Sequence, residues 1–164
     1  VLFKPGAITD NFKFVLVNAH LYFGDDKKAD RDRRSLEAYA VSRWADLRRD
    51  DKHAYAKDII VLGDFNLPKV EKGDPIYDAL VNRGLRLPEH TTQVGSNLTS
   101  DKHYDQIFFF PGLTKQEFTG NNGIFDFDSA IFSDLWQTKT PVQFRSFVRY
   151  YISDHRPMWA EFKI

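Results

Sequence analysis

The sequence predicts a single α+β domain, and three observations carry that prediction. Apolar runs such as Ile59-Ile60-Val61-Leu62 and Ile107-Phe108-Phe109-Phe110 are mostly β-branched or aromatic and too short for helices, which marks them as buried strands. A segment with helical apolar spacing lies between two such strands. Short polar side chains stand where strands end, as in Val61-Leu62-Gly63-Asp64-Phe65-Asn66.

At 164 residues the chain is one domain by length and long enough to bury a core. The 23 basic and 23 acidic side chains cancel. That balance counts against a protein built to grip a phosphate backbone regardless of sequence, which carries a basic excess. An enzyme that touches a few phosphates remains open. The absence of cysteine excludes disulfides, thiolate metal sites and cysteine nucleophiles. No apolar run approaches the roughly 18 residues a transmembrane helix needs. Val1-Leu2-Phe3-Lys4-Pro5-Gly6 is neither a signal peptide nor an initiator start and reads as the middle of a longer chain. Localisation is not legible.

The first strand is predicted over Phe12–Leu21, ending near His20. Pro5-Gly6 and Asp10-Asn11 are turn signals, so Val1–Lys4 is a hairpin partner by pattern. The charged run Asp25–Arg34 leads into a helix whose apolar positions are Leu36, Tyr39, Ala40, Trp44 and Leu47, reaching about Arg49. Asp30 and Arg34 at i,i+4 suit a solvated face, and Arg31, Arg33 and Arg34 read as solvated rather than phosphate-facing. The central strand starts at Asp58 and closes on Gly63, Asp64 and Asn66. Residues two apart on a strand share a face, so Asp64 and Asn66 converge. The same letters also spell a turn. Asp74-Pro75 starts a short helix as N-cap and first residue, with Ile76, Leu80 and Val81 inward and Gly84 as its stop. Pro88–Lys102 reads as loop, and Tyr104–Phe110 as a buried strand. Over residues 113–146, Phe125-Asp126-Phe127-Asp128 alternates like a strand, Asn121-Asn122-Gly123 reads as a turn, and the rest reads as irregular. Met158–Ile164 alternates as the final strand.

The polar strand ends form one set: His20, Asp64 with Asn66, Asp105, and Asp154 with His155. Phosphoester hydrolysis needs these types. Carboxylates hold Mg²⁺, which takes oxygen ligands. Donors meet the phosphoryl oxygens as charge develops, and a histidine paired with an aspartate handles protons.

Asn18-Ala19-His20-Leu21, Val61-Leu62-Gly63-Asp64-Phe65-Asn66, Tyr104-Asp105-Gln106-Ile107 and Ser153-Asp154-His155-Arg156-Pro157 resemble motifs of the endonuclease/exonuclease/phosphatase superfamily. Gly95-Ser96-Asn97 is similar too, and the resemblance spans roughly residues 12–164. It implies a DNase I-like four-layer α/β/β/α sandwich, of which residues 1–164 supply the C-terminal part. The catalytic set it implies is His20, Asp64, Asn66, Asp105 and His155. His20, Asn66 and His155 contact phosphate, Asp64 orients or deprotonates water or binds a metal, and Asp154 is a metal ligand. Asp105 holds the tautomer of His155. Ala19 and Gln106 depart from the pattern in a minor way, and Gln106 puts in doubt only a phosphate contact from its own side chain.

The implied cofactor is Mg²⁺, with Mn²⁺ as the other choice, and the main glutamate ligand belongs upstream of Val1. Glu37, Glu71, Glu89, Glu117 and Glu161 all stand in the wrong context for it. The expected activity is a metal-dependent phosphoesterase cleaving a phosphodiester, with nucleic acid as the favoured substrate. The alternatives are an inositol-phosphate type phosphomonoesterase, a sphingomyelinase-like phosphodiesterase, or a non-catalytic binding module on the same fold. A chain with half the fold leaves one inner sheet face open, expected to be large and to meet the missing half or another chain.

Overall fold

The apolar run 59–62 lies at the centre of a three-stranded sheet ordered β1-β2-β3, formed by β1 (Phe14–His20), β2 (Asp58–Asp64) and β3 (Asp105–Phe109). β1 and β2 are parallel, while β3 is antiparallel to β2. A computed structural model describes residues 12–67, 69–88, 95–114 and 116–163. The hairpin partner expected at Val1–Lys4 lies outside them, as does the part of the 88–102 loop at residues 89–94.

A parallel pair requires a crossover, supplied by α1 (Lys28–Asp50). This helix begins within the charged run, well before the expected apolar stripe. It also buries a different face. Ala38, Ser42 and Ala45 are fully buried with Arg34 and Asp46, whereas Leu36, Trp44 and Leu47 are exposed. Small side chains let the helix approach its neighbours closely, so the spacing of its large residues misidentified its inner face. Arg34, read as solvated, is 4% exposed.

The core under α1 joins Ile59 and Val61 of β2 to Phe108 of β3, with Phe65, Leu67 and Phe110 beside them. Phe65 meets Phe108 edge to face at 5.2 Å, a geometry contributing about 1 kcal/mol beyond area burial. The helix α2 (Pro75–Val81) closes this side with Ile76 and Leu80. Its start is as the sequence predicts, since the Asp74 carboxylate accepts from the backbone N–H of Ile76 and Tyr77 at 2.9 and 3.0 Å.

At the tip of β2, Gly63 lies opposite Ala19 of β1 with φ of +134°. A Cβ there would sit 1.9 Å from the Ala19 carbonyl oxygen. Only glycine allows the close approach that precedes Asp64.

Phe109 faces away from Phe108, and it packs on Phe118 and Phe162 at 5.1 and 5.9 Å. These belong to β4 (Phe118–Ile124) and β5 (Met158–Phe162), an antiparallel second sheet. Two sheets thus stack with α1 and α2 outside the first. Ile60, Ile107 and Phe109 are at most 7% exposed on the facing side. Leu16 of β1 stays 45% exposed.

Residues 113–146 are more regular than the sequence suggests. Asn121-Asn122-Gly123 lies inside β4 rather than in a turn. Phe125–Asp128 is not a strand, because Asp126 caps α3 (Phe127–Ile131) by accepting from Ser129 N–H. Then follow α4 (Ser133–Thr138) and α5 (Pro141–Tyr151). A capping box between Thr140 and Gln143, with Pro141 at the first position, starts α5. Phe144 and Val148 anchor it on Phe127, with Leu98, Phe132, Leu135 and Phe147 alongside.

Candidate active site

Strand register creates the site. His20 pairs with Asp64 across β1 and β2, and Asp64 pairs with Asp105 across β2 and β3. Three polar residues thus stand side by side at one sheet rim. His155 comes to them from the segment after α5. It is held by a bridge between Asn97 and His155, by its N–H donating to Ser153 Oγ at 3.0 Å, and by stacking on Tyr104 at 5.9 Å.

The His155 Nδ1 lies 2.7 Å from Asp105 Oδ2 and 3.9 Å from Asp64 Oδ2. The Nε2 of His20 lies 3.7 Å from the same Asp64 oxygen. An ionised carboxylate only accepts, so His155 Nδ1 carries the hydrogen. This hydrogen bond raises the His155 pKa above its ordinary value against the effect of burial. Burial also raises the Asp64 pKa, the Asn66 N–H opposes, and the neighbouring Asp105 charge adds to the rise.

The turn reading of Asp64 and Asn66 holds, and the turn leaves Asp64 at the rim. Asn66 N–H donates to Asp64 Oδ1 at 2.8 Å, an Asx-type turn with Asn66 at φ +48°. That bond occupies one carboxylate oxygen and leaves Oδ2 facing the histidines. Asn66 is 3% exposed, and its Nδ2 donates to Leu21 O at 2.8 Å, tying β2's exit to β1's. Arg34 donates to Asn66 O at 3.3 Å and to Asp25 O at 3.3 Å.

Asp154 lines the same cleft, but its carboxylate lies 3.6 Å from Arg149 Nε and outside the gathered donors. Among the described residues, Asp64, Asp105 and His155 could hold a metal ion, with ligand atoms within 4.8 Å of one another. The set fits a divalent cation: two carboxylates converge, one of them desolvated, and a positive charge would relieve their repulsion.

Sequence reasoning left several contributors without a role. Arg156 is 4% exposed and makes a fork to Asp128 at 2.5 and 2.6 Å. It also donates to the carbonyls of Gly95, Asn97 and Leu98. It thereby fixes the loop that carries Ser96, whose Oγ accepts from Asp105 N–H at 3.2 Å. The cleft, about 650 Å³, is walled on its far side by Val142, Arg145, Ser146 and Arg149 of α5. The Thr-Pro-x-Gln start of α5 was the signal for that wall.

The sequence matches no family model and no curated protein. Solved structures do match. A mannosyl-6-phosphatase from Bacteroides thetaiotaomicron has TM-score 0.54 and 18% identity, covering 94% of this chain and 53% of that one. An endonuclease/exonuclease/phosphatase family protein from the same species has TM-score 0.51 and 19% identity, covering 91% and 48%. The chain has the DNase I-like fold and spans about half the length of these structures.

Proposed function

We propose that the protein is a phosphoester hydrolase in which water attacks phosphorus in line. The observation that carries this is the His155–Asp105 contact of 2.7 Å beside Asp64 and His20 at registered strand ends. Asp105 is a positioning residue: it fixes the His155 tautomer and leaves Nε2 to meet a phosphoryl oxygen. The raised pKa favours the protonated ring, a donor toward developing negative charge. In this reading Asp64 Oδ2 orients the attacking water and takes its proton. His20, with a 76% exposed side chain, protonates the leaving oxygen. Asn66 has a second amide hydrogen for the phosphate.

Asp64 and Asp105 would hold the cation, Mg²⁺ first and Mn²⁺ second, which supplies Lewis-acid polarisation of the phosphoryl oxygen. Asp154, assigned to a metal by the resemblance, would join once released from Arg149. The proposal includes the glutamate ligand upstream of Val1 and a domain that continues beyond residues 1–164. The half-length match to solved structures supports that view.

Nucleic acid is the first substrate reading. A phosphomonoester is the second, favoured by the likeness to a mannosyl-6-phosphatase. Plasmid DNA, a sugar phosphate and an inositol phosphate assayed side by side with Mg²⁺ separate them. His155→Ala is expected to abolish turnover of whichever is cleaved. Full turnover by that variant of the full-length protein, or none by the full-length parent, sinks the hydrolase and returns the fold to a binding role.

A further inference from the structure

The wall of the cleft opposite the candidate rim carries two arginines that, among the described residues, are at most weakly engaged. Val142, Arg145, Ser146 and Arg149 recur at i, i+3, i+4 and i+7 along α5, so they share one helical face. The other face is fastened into the core by Phe144 and Val148, both fully buried. The helix is thus a rigid support whose cationic side is turned to the cleft.

Among the described residues Arg145, half-buried, makes no hydrogen bond or ion pair. Arg149 has one ion partner, Asp154 at 3.6 Å, with side chains 73% and 55% exposed. At that distance and exposure the pair is weak. By contrast, Arg34 and Arg156 are buried and donate to backbone carbonyls. A guanidinium carries five donors suited to the oxygens of a phosphate. Among the described residues Arg145 holds all of its donors uncommitted, and Arg149, one helical turn on, shares only one with the exposed Asp154 carboxylate.

The reacting phosphate already has its partners across the cleft in His20, Asn66 and His155. We propose that Arg145 and Arg149 form a second anion subsite, and that the substrate carries a further phosphate beside the one that is cleaved. This rests on the phosphoesterase reading and narrows it. The shared chemistry is a phosphoester with a neighbouring phosphate, supplied by a nucleic-acid strand or by a small bisphosphate.

The test uses two substrate pairs in Mg²⁺ at fixed ionic strength: a dinucleotide with and without a 5′-phosphate, and a sugar bisphosphate against its monophosphate. The parent protein should prefer the more phosphorylated member of one pair, and the pair that responds identifies the source. Arg145→Gln with Arg149→Gln keeps a good helix former at both positions and should erase that preference through KM, by about tenfold or more. Equal use of both members of each pair, unchanged in the variant, overturns the subsite and leaves the hydrolase standing.

Should none of the four be cleaved, binding still decides. Calorimetry with inorganic pyrophosphate and tripolyphosphate against orthophosphate, in EDTA, should show tighter binding of the longer anions in the parent only. Equal binding by parent and variant overturns the subsite whatever becomes of the activity.

Discussion

The His155 Nδ1 stands 2.7 Å from Asp105 Oδ2, across fifty positions of sequence. One carboxylate thereby sets the ring's tautomer, its direction and its proton affinity. Its neighbour on the paired strand, Asp64, is left to face the cleft.

The pH dependence of the metal-free protein follows from that contact. The folded His155 pKa is raised above 6.5, chiefly by the Asp105 hydrogen bond. Its contribution to stability is complete below 6.5 and fades as pH rises through the higher folded value. In EDTA, an NMR titration of His155 should give a midpoint above 6.5, and Asp105→Asn should lower it. A midpoint at or below 6.5 in the parent protein contradicts the assignment.

His20 separates activity from folding. Its side chain is 76% exposed, so His20→Ala should change unfolding free energy by no more than about 0.5 kcal/mol. Phosphoester turnover should fall by about a hundredfold or more, as loss of a general acid does. Denaturant curves and initial rates on one preparation check both halves.

Gly63 is irreplaceable on steric grounds. A Cβ 1.9 Å from Ala19 O at φ +134° cannot be relieved without parting β1 from β2. Gly63→Ala should cost about 3 kcal/mol or more, or abolish folding. A melting temperature within a degree or two of the parent would falsify the close approach.

Arg156 is tested by truncation. Arg156→Ala leaves Asp128, 3% exposed, without its fork, at a cost of about 3–5 kcal/mol. The 95–101 loop should lose amide protection, including Leu98, whose N–H donates to Asp154 O. Hydrogen exchange reads the loop directly, and unchanged protection at Leu98 contradicts the clamp.

Cation binding should appear as stabilisation. A ligand that binds only the folded state adds about 2.7 kcal/mol at a hundredfold its dissociation constant. Mg²⁺ or Mn²⁺ should raise the melting temperature of the EDTA-treated protein, and Asp64→Asn should remove most of that rise. An equal rise in both proteins places the ion elsewhere.

Much of the site was legible because its signals are local. Short polar residues at the ends of apolar runs marked His20, Asp64, Asn66, Asp105, Asp154 and His155; the structure brings His20, Asp64, Asp105 and His155 together, ties the Asn66 amide to Leu21 O, and leaves Asp154 on Arg149. Asp74 likewise announced α2. The failures were of packing rather than propensity. Leu36, Trp44 and Leu47 have the spacing of an inner face, yet Ala38, Ser42 and Ala45 form it. Arg34 looked like surface charge and Arg156 had no assigned role, and both are buried clamps.

By itself the sequence determined the α+β class, the strand ends and the polar side chains that stand there, since backbone preference and side-chain character act over a few residues. Only the tertiary structure decided which oxygen of Asp64 faces the histidines, that Asp154 stands with Arg149 rather than with Asp105, and that α5 walls the cleft with arginines. Those outcomes depend on register between strands and on close packing of distant segments. No local pattern encodes them, because each is a compromise among residues far apart in the chain.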